Sequence, residues 1–268
     1  MKRVQLLRKS WSEVSTAYEH EFVSKFMPWT ETALHHFGLR PLPPGTIVVP
    51  ACGPGQEIPL LAARFPSHKI VGIDLAEGMI ERAQKVVDSH NLGSRVKLIA
   101  SDASTIPASV TGPVAGVFCC FALNQMPRPA DVLASWAGAL VPGGSAVVVF
   151  WPPVVEMQGP WQVLTDLTLG SASQADWQTD IPERALCQGT VLQADCLVQH
   201  AMHWASAKEF YDVMTRAGAW HARRMQYGDA HMAEVEAKFL TALSHSGSPL
   251  VHHPSARLIA LSKPQIPL

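Results

Sequence analysis

From Thr46 onward, short apolar runs alternate with amphipathic ones. "TIVVP" (46–50) is β-branched and reads as a strand. Residues 57–65 follow, with Ile58, Leu61, Ala62 and Phe65 on one helical face. Pro59 falls in that helix's first turn, where a missing N–H costs little. "HKIVGID" (68–74), "RVKLIAS" (95–101), "VAGVFCCFA" (114–122) and "SAVVVFW" (145–151) are further strands. Between them lie two helices, 77–90 with Ile80, Ala83 and Val87 on a stripe, and 129–140 with Leu133, Trp136 and Leu140 facing in. "VPGG" (141–144) ends the second, because Pro and Gly prolong a helix poorly. Strands apolar on both faces, separated by helices of about 10–15 residues, predict an α/β fold with a doubly wound, mostly parallel sheet. Ligands in such sheets bind beyond the carboxyl ends of the strands. The loops to watch begin near Pro50, Asp74, Ser101, Phe121 and Trp151.

The flanks follow other patterns. Residues 1–45 read as a helical lead carrying Trp11, Tyr18, Phe22, Phe26, Trp29 and Leu34, closed by the linker-like "RPLPPG". Residues 152–268 open on a Pro-rich loop and hold Trp161 and Trp177. "TVLQADCLVQHAMHW" (190–204) reads as one long strand. Helices are expected near 207–217 and 230–243, and a late strand, antiparallel to the others, at 255–262. The expected organisation is a single domain over 1–268: a lid (1–45), a ligand-binding core (46–151), and late strands with a substrate cap (152–268).

Composition narrows the reading. Of 268 residues 47 % are hydrophobic, enough for a sizeable core, and the net charge is −1. A near-neutral chain disfavours nucleic acid, which needs a basic face. No apolar run approaches the ~18 residues of a membrane span, so no membrane partner is expected. The five cysteines are an odd count, and Cys119 and Cys120 lie in an apolar run; all five read as reduced and the location as cytoplasmic.

The chemistry centres on Ala51-Cys52-Gly53-Pro54-Gly55, between the first strand and its helix. Glycines there let a ligand approach the backbone, and the helix N-terminus favours negative charge. A dinucleotide fingerprint needs a third glycine where Ile58 stands, so nicotinamide-dependent oxidoreduction is disfavoured. A phosphate-binding P-loop would end in Gly-Lys-Ser/Thr; this one ends in Gly-Gln-Glu.

The remaining pattern resembles the class I S-adenosylmethionine-dependent methyltransferases, in particular the ubiquinone-biosynthesis-like, small-molecule subgroup. Four further stretches are similar in order and spacing: "VGIDLAEGMIERA", "ASDASTIP", "FALNQMPRPADVLASWAGALVPGGSAVVVFW", and the lead "WSEVSTAYEHEF". The match is good over roughly 10–151. The resemblance implies a Rossmann-like fold, S-adenosyl-L-methionine as cofactor, and roles for particular residues. Ala51, Cys52, Gly53 and Gly55 would cradle the cofactor. Asp74, alternatively a helix N-cap, would hold the ribose hydroxyls. Leu75 and Met79 would wall the adenine, or be ordinary core. Asp102, alternatively a loop cap, and the Ala103 N–H would meet the adenine edge. Phe121 would lie beside the methionine moiety, and Tyr18 would close over it.

Two departures stand out: Val49 occupies the place of the acid common on strand one, and Ala51 that of the first glycine. They keep a second reading alive, a catalytically silent member of the fold serving as a binding or scaffold subunit. For the acceptor, Gln125, Trp29 and Trp151 are the candidate substrate residues, with Trp161, Trp177 and Trp220 as further pocket walls and Arg223 and Arg224 as partners for an acidic group. His20, His200 and His203 are weak candidates for a general base, the last two sharing a strand face. No metal set is visible. The expected partner is a small, partly apolar metabolite methylated at O, N or S; a homodimer is left open.

Overall fold

The computed structural model describes residues 3–169 and 178–265; Trp177 lies outside them. A helix of 35 residues, α1 (Arg3–Phe37), leads in. The core then runs β1 (Thr46–Pro50), α2 (Glu57–Arg64), β2 (Lys69–Asp74), α3 (Glu77–Ser89), β3 (Val96–Ala100), β4 (Val114–Cys120), α4 (Pro129–Ala139) and β5 (Leu140–Phe150). After it come α5 (Pro160–Leu169), α6 (Ile181–Leu186), β6 (Val191–Gln199), β7 (Met202–Trp204), α7 (Ala207–Arg216), α8 (His221–Ala242), β8 (Leu250–His252) and β9 (Ser255–Ser262).

Seven strands form one sheet in the order β3-β2-β1-β4-β5-β9-β6. β1 to β5 pair in parallel, and β9 is antiparallel to both its neighbours. The late antiparallel strand is therefore where the periodicity placed it. Strand succession reverses between β1 and β4, so the crevice beyond their carboxyl ends is open to a ligand. β5 shows why both faces had to be apolar. Val147 and Val149 pack with Phe26, Trp29 and Ile58 on one side, while Val148 and Phe150 pack with Leu133 and Trp136 on the other.

The structure corrects several boundaries. Residues 141–144 do follow the helix but belong to β5. Gly143, at φ 82°, donates to Lys263 O, and Lys263 donates back to Gly144 O, so the Pro-Gly-Gly turn becomes a bulged strand start. The long strand at 190–204 is two strands. β6 ends where its partner β9 begins, at Gln199↔Ser255, and β7 pairs instead with β8 in a separate hairpin. His200 and His203 hence do not share one strand face. α8 starts at His221 rather than near 230 and bends at Gly228, whose φ of 83° is open to glycine.

Candidate functional site

The loop after β1 is built on left-handed backbone: Ala51 (φ 50°), Gly53 (φ 53°) and Gly55 (φ 85°). Its residues point to different places. Ala51 and Gly53 lie on the wall of a cavity of about 880 Å³, counted out to its solvent mouth. A Cβ on Gly53 would meet only the Gln56 Oε1, at 3.9 Å, so the backbone is bare towards the cavity. Cys52 and Gly55 are not among the residues of that wall. The Cys52 N–H donates to Ile73 O and its thiol turns under the sheet beside Gly72. A Cβ on Gly55 would stand 3.0 Å from Ala83, so this glycine serves the approach of α3.

Asp74 ends β2 on the same wall. Its Oδ2 accepts from the Gly53 N–H at 2.8 Å and its Oδ1 from the Ala76 N–H at 2.9 Å. Each oxygen keeps a further acceptor site. Burial raises this carboxyl from 3.8 to about 6, against the backbone N–H groups of Ala76, Gly53 and Leu75, which pull it down. It is largely ionised at neutral pH. Leu75, Met79, Asp102 and Ala103 line the same cavity. Asp102 is exposed, and its Oδ1 also caps its own loop at the Ser104 N–H. Buried Trp136 fixes that loop by donating to Ala103 O.

Phe121, just past β4, is held at φ 61°. A bulky residue in the left-handed region is strained, and such strain gathers at functional sites. Its ring stacks on Trp151 at 4.9 Å and leans on Phe26 at 4.6 Å. Phe121, Tyr18, Trp11 and Gln125 border both the first cavity and a second of about 1010 Å³. The second is aromatic, with Phe22, Phe26, Trp151, Trp161 and Trp220 on its walls. Its lining, among the described residues, holds no lysine, arginine, histidine or carboxylate.

Several expected residues stand elsewhere. Trp29 is fully buried, donates to Val198 O, and is not on either wall. His20 and His203 are exposed, and His200 packs on the Trp29 ring at 4.9 Å. None of the three borders either cavity. Arg223 is engaged with Thr168 O, and Arg224 with Thr215 and Asp229. The described cysteines are free; burial raises the thiols of Cys52, Cys119 and Cys120, which keeps them protonated and unreactive. No group of His, Cys, Asp and Glu suited to a metal occurs among the described residues.

Sequence reasoning missed the latch over the cleft. Trp11 Nε1 donates to Gln125 Oε1 at 2.9 Å, joining α1 to the short 3₁₀ turn Leu123–Gln125. Trp11 precedes Tyr18 by seven residues, two helical turns, so their shared face was legible. Arg8–Glu77 and Arg82–Glu19 ion pairs add to the seating of α1 on α3. The helices approach closely only because position 78 is glycine; a Cβ there would meet Ser12 O at 2.6 Å.

The strand order, the bare loop at the reversal point and the acid ending β2 define a Rossmann-like α/β fold. Residues 47–144 match the model of the methyltransferase domain family. It is 36 % identical over 108 residues to a trans-aconitate 2-methyltransferase of Sinorhizobium fredii, covering 40 % of this chain and 38 % of that protein. The chain thus matches well under half the length of that curated relative. Among solved structures, a methyltransferase-fold protein of Bacillus halodurans superposes with a TM-score of 0.59 at 16 % identity, over 88 % of this chain and 99 % of that one. A phosphoethanolamine N-methyltransferase of Haemonchus contortus, solved with S-adenosylhomocysteine, gives 0.57 at 15 %, over 99 % of this chain and 61 % of that one. At these identities the structures speak for the fold. No described helix is long and apolar enough to cross a membrane.

Proposed function

We propose that this chain transfers a methyl group from S-adenosylmethionine to a small, largely apolar acceptor. The observation that carries the reading is the pairing of the two cavities: one that holds the carboxylates of Asp74 and Asp102, and an aromatic one without charged walls, meeting at Tyr18 and Phe121. The first fits the cofactor. Asp74 has acceptor sites left for two ribose hydroxyls, and Leu75 and Met79 offer an apolar wall for a purine. The buried Oε1 of Gln56, on this cavity's wall, has no partner within the protein. Buried polar atoms are nearly always paired, which supports a polar contact between this oxygen and the ligand.

When bound, the sulfonium donor supplies an activated methyl group. The residues align and enclose. Phe121 and Tyr18 form the shared wall, and α1 shuts water out through the Trp11–Gln125 latch. Tyr18 is no base: burial, with Glu57 and Asp74 nearby, drives its phenol well above the usual range. The second cavity has no other base among the described residues. The acceptor therefore needs no proton removed by the protein in the transfer step: a thiolate, a phenolate of low pKa or a neutral amine.

Transfer of labelled methyl to a panel of aromatic thiols, acidic phenols, amines and trans-aconitate tests this. The expected result is turnover of an apolar aromatic member and none of trans-aconitate, whose carboxylates would meet no counter-charge on the second cavity's walls. Preference for trans-aconitate would refute the acceptor class. Cofactor binding with no turnover across the panel would favour the silent, scaffold reading.

The seating of α1 gives a further prediction. Gly78→Val pushes a side chain into Ser12 O and lifts the helix from the cleft. Displacements of about 1 Å at such a site cost up to about 100-fold. We expect S-adenosylhomocysteine affinity to fall by about tenfold or more, read by calorimetric titration. Unchanged affinity would show that α1 does not enclose the ligand.

A further inference from the structure

We propose that Glu57 is the anion that receives the amino-acid ammonium of the donor, and that it gives up a proton to the solvent to do so. The proposal rests on the cofactor reading above. Glu57 opens α2, directly after Gln56, and is only 3 % exposed. Its Oε1 accepts from Gln56 Nε2 at 2.6 Å, and its Oε2 has no partner within the protein. Gln56 lies on the wall of the first cavity and its own Oε1 is also unpaired. A buried acid with a free oxygen thus stands one side chain behind the cleft. β1 brings no acid to this point, because it ends in Val49 and Pro50.

The groups that face Glu57 are Tyr18 on α1, Cys52 in the loop, Asp74 on β2, and Cys119 and Cys120 on β4. Among the described residues no cation is in that set. Glu57 is the foremost charge acting on Tyr18, Cys119 and Cys120, and Tyr18 and Cys120 line the first cavity. The acid itself lines neither cavity; it stands behind Gln56, whose side chain borders the first and donates to it. Burial, with the like charge of Asp74, raises its carboxyl to about 8, so with no ligand it is protonated at pH 7. A cation arriving in the cleft favours the carboxylate. The carboxyl O–H breaks, the proton passes to buffer, and the carboxylate pairs with the ammonium; no other bond changes.

The linkage sign follows. Binding selects the ionised form, so affinity for an ammonium-bearing ligand rises as pH climbs from 6 towards about 8. Calorimetry at pH 7 in two buffers of different ionisation enthalpy counts the protons. S-adenosylhomocysteine carries the amino acid group; 5′-methylthioadenosine keeps the adenine and ribose without it. We expect the first to release about 0.9 proton per site and the second about 0.1, from Asp74. Glu57→Gln should weaken S-adenosylhomocysteine at least tenfold, cut its release to the level of the other ligand, and leave 5′-methylthioadenosine affinity unchanged. Equal proton release by the two ligands in the unmodified protein, which decides even if the variant fails to fold, would overturn the proposal while leaving the cofactor reading intact. So would a folded Glu57→Gln that binds S-adenosylhomocysteine as tightly as the parent. Binding of neither ligand to the unmodified protein would remove the cofactor reading, and this proposal with it.

Discussion

Asp74→Ala weakens S-adenosylhomocysteine binding by about 100-fold or more. The carboxylate is buried, ionised at neutral pH, and already oriented by the Gly53 and Ala76 N–H groups. A hydrogen bond to a charged acceptor contributes about 1.5–3 kcal/mol, and two ribose hydroxyls can share this acid. Losing both costs about 3–6 kcal/mol, or some two to four powers of ten in Kd. The variant also frees two backbone donors, which loosens the loop around Gly53. A thermal melt separates that effect from the loss of binding. The parent shows a further sign: its affinity falls as pH drops below about 6, where Asp74 takes a proton and one oxygen becomes a donor. The variant lacks that inflection. Retention of parental affinity in Asp74→Ala would mean that the ribose lies elsewhere.

Glu156→Ala unfolds the protein at markedly lower temperature, with a loss of about 3–5 kcal/mol. Glu156 is buried in the loop after β5 and joins three elements. Its Oε1 accepts from the Trp161 N–H, where α5 begins, and its Oε2 bonds the His252 Nδ1 on β8 at 2.8 Å. Trp204 Nε1, on β7, donates to His252 Nε2 at 3.0 Å, so Nδ1 carries the hydrogen towards Glu156. Without the carboxylate, two buried donors lose their acceptor, and each such loss costs about 1–3 kcal/mol. For a chain of this size each kcal/mol moves Tm by about 2–4 °C, so we expect a drop of at least about 6 °C. The loop also carries Trp151, Pro152 and Pro153 to the aromatic cavity. Acceptor KM should therefore rise while S-adenosylhomocysteine affinity holds within about threefold. A melting temperature within a degree or two of the parent would show that this network does not support the fold.

The sheet was readable because parallel strands are buried on both faces, and the runs "TIVVP", "KIVGID" and "AVVVF" carry that directly, the last as Ala146 to Phe150 in β5. Asp74 was readable because a strand end fixes a side chain's place. The loop residues were not, since left-handed turns rotate successive side chains: Ala51 and Gly53 face the cavity, Cys52 and Gly55 the interior. Nor was the division of the lead helix. Trp11 and Trp29 look alike in sequence, yet Trp11 reaches Gln125 at the cleft while Trp29 is fixed by Val198, 169 residues away. The break after Gln199 was hidden for the same reason: the strand stops where a partner more than fifty residues later begins.

The central claim is that the bare loop after β1 and the acid ending β2 together hold a sulfonium nucleoside. Titrating the full chain with S-adenosylhomocysteine at pH 7 tests it most directly. The account predicts saturable heat at one ligand per chain, in the micromolar range, abolished in Asp74→Ala. No heat with the unmodified, folded protein, or undiminished heat with the variant, would contradict it.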